Sequence, residues 1–322
     1  MAKWMTIVTV VVAALWSGWW FIGSRAAQQG AIAGIDAARA QGWTIAYDDL
    51  SVAGFPNRFD TTVSEPRVTT PDGTVEWSAP FVQVFSLAYR LNHVIAVAPP
   101  RMSFEVPGEA IDVTNADLRA SVVLSASAQP VLDRSTVTME ALRVALADLW
   151  VEVATGRFAT RQAGGETAHD VALSLSRLTL SPSVRAALDP AERLPELIDG
   201  VEIEVEVGLT DAVGPGRTPQ VQSVLIRRAE VTWGETRANL AGEVSVGSDG
   251  FPAGALMLGL RNWEPLILNA VAQGLLTPGE AAVLNGGIGG LARSDGEAQV
   301  PVTLADGQLS VLGLPIAVLP RL

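Results

Sequence analysis

The sequence predicts a mainly β protein. An N-terminal transmembrane helix leads into an elongated, mostly antiparallel sheet, a curved groove or a sandwich, with a few short helices. Three observations predict it. Trp4 to Gly23 is an unbroken uncharged run, apolar–polar alternation of period two begins after Gly42, and Gly, Pro, Asn and Asp punctuate the alternating segments. The 322 residues are 48% hydrophobic against 17% charged, a balance that itself points to a membrane segment.

As a helix, Trp4–Gly23 would rise roughly 30 Å, the thickness of a bilayer hydrocarbon core. Trp4 marks one end, and Trp16, Trp19 and Trp20 the other, where indoles favour the headgroup layer. A cleaved signal peptide is the competing reading. Its apolar core is normally about 7–15 residues long. Here bulky Trp19-Trp20-Phe21 crowd the approach to the candidate cuts, Ser24-Arg25-Ala26 and Ala31-Ile32-Ala33, so an uncleaved anchor is expected. Lys3 precedes the run and the remaining mass follows it, so signal-anchor logic puts a C-terminal domain outside the cytoplasm, which for a bacterial chain is the periplasm.

The expected organisation is a transmembrane anchor over 1–23, a polar membrane-proximal helix over 24–41, and a β-rich periplasmic domain over 42–322, with a subdivision near 182–200. Trp43, Ile45 and Tyr47 alternate with polar or small residues, and Val201-Glu202-Ile203-Glu204-Val205-Glu206-Val207 is the cleanest strand. Further strands are expected over 58–64, 74–78, 81–87, 92–98, 118–126, 137–153, 171–180, 221–233, 236–246, 254–260, 297–304 and 308–314. Asp72-Gly73, Asp249-Gly250 and Asp306-Gly307 read as hairpin turns. Helical spacing occurs over 182–199, interrupted by Pro190 and Pro195, and as a helix pair over 262–291. Thr277-Pro278-Gly279-Glu280 starts the second helix of that pair with an N-cap, a first-turn proline and a capping glutamate.

Chemistry is sparse. With no cysteine there is no thiol catalysis, no disulfide and no Cys-ligated metal, and a net charge of −12 argues against a nucleic-acid partner. No catalytic residue, metal ligand set or cofactor loop emerges, and a non-enzyme is expected. Gly287-Ile288-Gly289-Gly290-Leu291-Ala292 matches a dinucleotide pattern formally, but it follows a helix rather than a strand. His93 reads as a hydrogen-bonded structural histidine and His169 as an exposed loop residue. Asp48-Asp49 reads as a turn or solvated edge, and the Glu202, Glu204, Glu206 row as the wet side of a sheet. Val201, Ile203, Val205 and Val207 are the candidate groove-lining or core residues.

Gly54-Phe55-Pro56-Asn57-Arg58-Phe59-Asp60 is the most distinctive string. Gly54 permits a positive φ, Pro56 fixes a turn, and Phe55 and Phe59 plug one end of a core. Arg58 and Asp60, two apart, share a strand face and pair. Gly54, Phe55, Pro56 and Arg58 thus form a candidate structural corner.

The anchor, Gly42-Trp43 through Asp49-Leu50 into Gly54-Phe55-Pro56-Asn57-Arg58, Trp77-Ser78-Ala79-Pro80, and His93-Val94 through Ala98-Pro99-Pro100 resemble an uncharacterised family of bacterial envelope proteins, a domain of unknown function. More distantly, the plan and the ending Leu304-Ala305-Asp306-Gly307-Gln308-Leu309 through Gly313-Leu314-Pro315 resemble the AsmA-like envelope proteins. That second resemblance implies phospholipid traffic over a curved sheet with an apolar inner face. The expected partners are therefore the inner membrane and a lipid or lipid-linked ligand. An envelope scaffold or assembly partner with a filled β core is the alternative.

Overall fold

The computed structural model describes residues 2–247 and 250–321. The chain is mostly β, with every described strand pairing antiparallel, and it divides into two compact units. The first comprises Met1–Val123 with Val144–Ala147, the second Leu124–Arg143 with Asp148–Leu322. The division thus falls near 123 and 147 rather than near 182–200.

The first unit opens with α1 (Ala2–Ala40), one uninterrupted helix that takes in both the expected anchor span and the expected polar helix after it. No proline interrupts the run, and one of its glycines lies where the helix packs on the sheet. This is Gly23: a Cβ there would meet the Phe59 ring at 2.5 Å. The strands are β1 (Thr44–Ala46), β2 (Asp49–Ala53), β3 (Arg58–Ser64), β4 (Arg67–Thr69), β5 (Glu76–Ser78), β6 (Phe81–Leu87), β7 (Arg90–Val97), β8 (Arg101–Val106), β9 (Glu109–Thr114) and β10 (Asp117–Leu124). They pair in two series, β1–β4–β5–β8–β9 and β2–β3–β6–β7–β10, between which the chain passes back and forth. Asp72-Gly73 makes the expected β4–β5 turn, with Asp72 accepting from the Thr70 and Thr74 hydroxyls. The β8–β9 hairpin, turned by Pro107-Gly108, was not expected, although its Pro-Gly pair is a turn signal.

The second unit contains β11 (Leu132–Leu146, whose last residues belong to the first unit), β12 (Leu149–Gln162), β13 (Ala168–Leu180), α2 (Pro182–Leu188), β14 (Leu197–Leu209), β15 (Val221–Trp233), β16 (Thr236–Val246), β17 (Pro252–Arg261), α3 (Glu264–Ala272), α4 (Pro278–Leu291), β18 (Glu297–Ala305), β19 (Gln308–Val311) and β20 (Leu314–Val318). From β12 to β20 each strand pairs with the next, a meander interrupted only by the helices.

Three expectations change. The single strand over 137–153 is two, because the chain turns at Ala147-Asp148 with Ala147 at φ 52°. The helix over 182–199 stops at Leu188, since Asp189 caps it and Pro190 cannot continue it; β14 begins by Leu197. The strand over 308–314 is also divided, by a turn with Leu312 at φ 51° and Gly313 at φ 83°. Asp306-Gly307 turns as expected, both residues at positive φ, whereas Asp249 lies outside the described residues. The α4 start forms the full reciprocal cap: Thr277 Oγ1 accepts from the Glu280 amide and the Glu280 carboxylate accepts from the Thr277 amide.

Along β13 the apolar alternation slips phase. Val171, Leu173 and Leu175 share one parity and Leu178 and Leu180 the other, yet Leu175, Leu178 and Leu180 belong to one core cluster. Arg177, at φ 54°, is the irregular residue that lets the face continue.

Candidate functional site

Two surfaces of the molecule concentrate what is unusual about it, one in each unit.

In the first unit, the corner between β2 and β3 is fastened to α1. Trp16 Nε1 donates to the Pro56 carbonyl (2.7 Å), Trp20 Nε1 to the Arg58 carbonyl (2.7 Å), and Gln28 Nε2 to the Leu50 carbonyl (3.0 Å). Trp16, Trp20, Gly23 and Ala27 recur at three- and four-residue steps, with Gln28 next to Ala27, so one stripe of the helix meets the sheet. Gly54 sits at φ 101°, and a Cβ there would crowd the Arg58 carbonyl and the Asp60 carboxylate. Arg58 and Asp60 pair at 2.7 Å, as their spacing predicts. Phe59 plugs the core against Trp20 and Ala88 with 3% of its surface exposed, but Phe55 does not: it is 53% exposed, its ring edge-on to Trp20 and stacked on Phe21.

In the second unit, one apolar face changes character along the meander. At β18, Ala298, Val300, Val302 and Leu304 are buried, and Ile288 of α4 and Trp263 pack on Ala298 and Val300. Helices α2 and α3 cover the end of the face marked by Val153, Leu178 and Ile198, through Val184 and Leu266. On β14, Val201, Ile203, Val205 and Val207 are only half-buried, and so are their partners Leu175, Leu173 and Val171 of β13 and Ile226 and Val224 of β15. The helices pack on the ends of the face marked by Val153, Leu178 and Ile198 and by Ala298 and Val300.

The opposite face is not a simple wet row. Arg227 joins Asp170 (2.6 Å) to Glu206 (2.5 Å), Arg161 also meets Asp170, and Arg228 spans Glu202 and Glu230. Of these, Arg161, Asp170, Glu202 and Arg227 line a shallow groove of about 680 Å³ together with Arg134 and Arg157. The Arg227 hydrogen bond, the largest favourable influence, and Arg161 hold the Asp170 carboxyl below its ordinary range. Most of these charges are exposed, where such pairs contribute about 0–1 kcal/mol each. Among the described residues, no three His, Cys, Asp or Glu side chains gather as a metal set.

A family model described as "Uncharacterized protein conserved in bacteria (DUF2125)" matches residues 20–320. The chain belongs to this family. No curated protein matches it, and no solved structure matches it. The match begins within α1, at Trp20, and takes in both surfaces described above except Trp16. In this DUF2125 chain, α1 is long and apolar enough to cross a membrane, a test that a signal sequence also passes.

The remaining expected positions are placed as follows. His93 Nε2 lies 2.9 Å from Ser121 Oγ across the β7–β10 pair. Asp48 and Asp49 are exposed, and the Gly287–Leu291 glycines lie inside α4 rather than in a loop. His169 is corrected: it is 3% exposed, opposite Val207 on the apolar face, with Nδ1 3.3 Å from Thr160 Oγ1 and Nε2 unpartnered. The loop before it is shorter than its polar composition suggested, so β13 already includes the histidine.

Burial lowers the His169 pKa below its ordinary 6.5. The unfolded chain therefore takes up the proton first as pH falls. Stability intact above 6.5 is lost as pH drops through that value toward the lower folded one. Urea midpoints measured between about pH 7.5 and 5 should fall in the wild type, and His169→Gln should flatten that part of the profile.

Proposed function

We propose that this DUF2125 protein is an inner-membrane-anchored envelope protein whose β-rich region lies in the periplasm and takes lipid acyl chains on the Val201, Ile203, Val205, Val207 face. The observation that carries the reading is the gradient on one apolar surface, from full burial at β18 to half-burial over the Val171–Leu175, Val201–Val207 and Val224–Ile226 stretches of β13–β15. A sheet face is covered by another layer or by a ligand, and the helices cover one part only. The uncharged run of α1, with Val8, Val11, Leu15 and Ile22 exposed, supports the anchor, and export of the mass following a signal-anchor supports the orientation. The AsmA-like resemblance belongs to this proposal and rests on the Leu304–Pro315 pattern. No catalytic role is assigned. A scaffold with a filled core is the second reading, favoured by the complete burial of Ala298 and Val300.

Val205→Phe separates the two. The detergent-solubilised, delipidated full chain should bind a fluorescent fatty acid. Val205→Phe should keep the melting temperature and weaken that uptake. In a filled core the same change overpacks by about 1–3 kcal/mol and lowers the melting temperature instead. A wild type that ignores the fatty acid, or Val205→Phe with intact uptake and depressed melting, would overturn the lipid reading. Glu204→Gln, on the exposed face, should leave both measurements unchanged.

A further inference from the structure

We infer that the Phe55–Arg58 corner and the Tyr89–Leu91 turn form a collar that sits within the interfacial layer of the bilayer, between acyl chains and headgroups, beside the exit of α1. This rests on the reading of α1 as a membrane anchor.

The first argument is one of height. The apolar, exposed surface of α1 does not stop at the corner: Trp19, Phe21 and Ile22 all remain exposed, Ile22 by 69%, and the first charge beyond Lys3 is Arg25. Covering Trp4–Gly23 with lipid uses about 30 Å of helix, a whole hydrocarbon core. The corner, however, already touches the helix at Trp16, roughly 9 Å below Ile22 along the axis. Either several large apolar side chains of α1 stand in water, or the corner beside them is immersed with them.

The second argument is the backbone of the corner itself. Irregular backbone at membrane depth is tolerated where its polar groups are satisfied by protein. The Gly54 carbonyl accepts from the Arg58 amide (3.0 Å), Pro56 from Trp16, Asn57 from the Ala88 amide (3.0 Å), and Arg58 from Trp20. Pro56 has no N–H to satisfy. Two indole N–H groups that would otherwise face headgroups are spent on this.

The third argument is what the corner and its neighbour display. Arg58 pairs with Leu87, so the β6–β7 turn abuts the corner, and Ala88 packs with Trp20 and Phe59. From this site Phe55, Tyr89 and Leu91 project exposed, with Arg90 between the last two. Aromatic residues beside an arginine suit the headgroup boundary, where rings lie among acyl ends and the guanidinium reaches phosphate.

Because the chain contains no cysteine, one can be introduced at a chosen position. An environment-sensitive fluorophore would be attached to Val10→Cys, Phe55→Cys, Tyr89→Cys, Leu91→Cys or Asp72→Cys in the full chain. The labelled proteins would be reconstituted into phosphatidylethanolamine–phosphatidylglycerol vesicles with or without spin-labelled lipid. Asp72 is the dry-land control, since its turn packs on Gly42, beyond the far end of α1. The inference expects spin-labelled lipid to quench most emission at positions 10, 55, 89 and 91 and little at 72. Quenching at 10 with bright labels at 89 and 91, whether or not 55 is quenched, overturns the collar and leaves the anchor standing. A bright label at 10 overturns the anchor, and the collar with it.

Discussion

Asp189→Ala should destabilise the second unit by about 3–5 kcal/mol, because it strips a buried carboxylate from three donors at once. Asp189 is 1% exposed. Its Oδ1 accepts from the Arg193 amide (3.0 Å) and Asn269 Nδ2 (2.8 Å), and its Oδ2 from the Leu194 amide (2.9 Å). Asn269 Oδ1 in turn accepts from the Ala191 amide, so one carboxylate closes the end of α2, shapes the loop after it and ties both to α3. Burial alone would raise the Asp189 pKa; the Arg193 and Leu194 amides, Asn269 and Arg185 together outweigh it and hold the group below 3.8. The stabilisation is therefore present above that value and lost as pH falls through the folded one. Urea unfolding followed by circular dichroism measures the loss. Asp189→Asn, which keeps one acceptor oxygen, should lose less, and equal losses for the two variants would count against this account.

Val300→Asp should abolish folding of the second unit. Val300 has 0% of its surface exposed, between Ala298 and Val302 and under α4. The change forfeits about 1.5–3 kcal/mol of aliphatic burial and adds a desolvation cost of several kcal/mol for a carboxylate without a partner. Against a usual total of about 5–15 kcal/mol, little stability remains. Val300→Ala, which only leaves a void, should cost about 2 kcal/mol and keep the fold. Val318→Asp, at a position 83% exposed, should change almost nothing. Far-ultraviolet circular dichroism and melting on the three variants order them, and a folded Val300→Asp would contradict the packing described at β18.

The sequence rendered some features legible because local chemistry fixes them. Arg58–Ser64, Phe81–Leu87, Val221–Trp233 and Thr236–Val246 are strands with the expected bounds, since their alternation is bracketed by turn residues. The Thr277–Glu280 cap and the Arg58–Asp60 pair depend on spacing alone, and both form. What stayed illegible depends on long-range packing. Ala147, Arg177 and Leu312 adopt left-handed backbone without being glycine or asparagine, so no glycine marks the turn at Ala147 or the phase slip at Arg177, and only Gly313 marks the turn at Leu312. Of the candidate site, the parity of Val201 to Val207 is readable, but how much of that face is covered depends on helices distant along the chain. The role of Trp16 and Trp20 was likewise hidden: their indoles serve carbonyls roughly forty residues away, a pairing that no periodicity records.

The unbroken course of α1 has a mechanical consequence. Its stripe of contacts with the first unit fixes the helix in rotation as well as in depth, as the teeth of a key fix it in a lock. Adding one residue between Trp4 and Trp16 would leave that engagement intact but turn the outermost segment by roughly 100° and advance it by about 1.5 Å. The first unit therefore cannot swivel about the helix axis as a domain on a flexible tether would. Any partner that packs on the outer segment of α1 therefore meets one side of the helix, and the rest of the first unit is presented to it at one constant bearing.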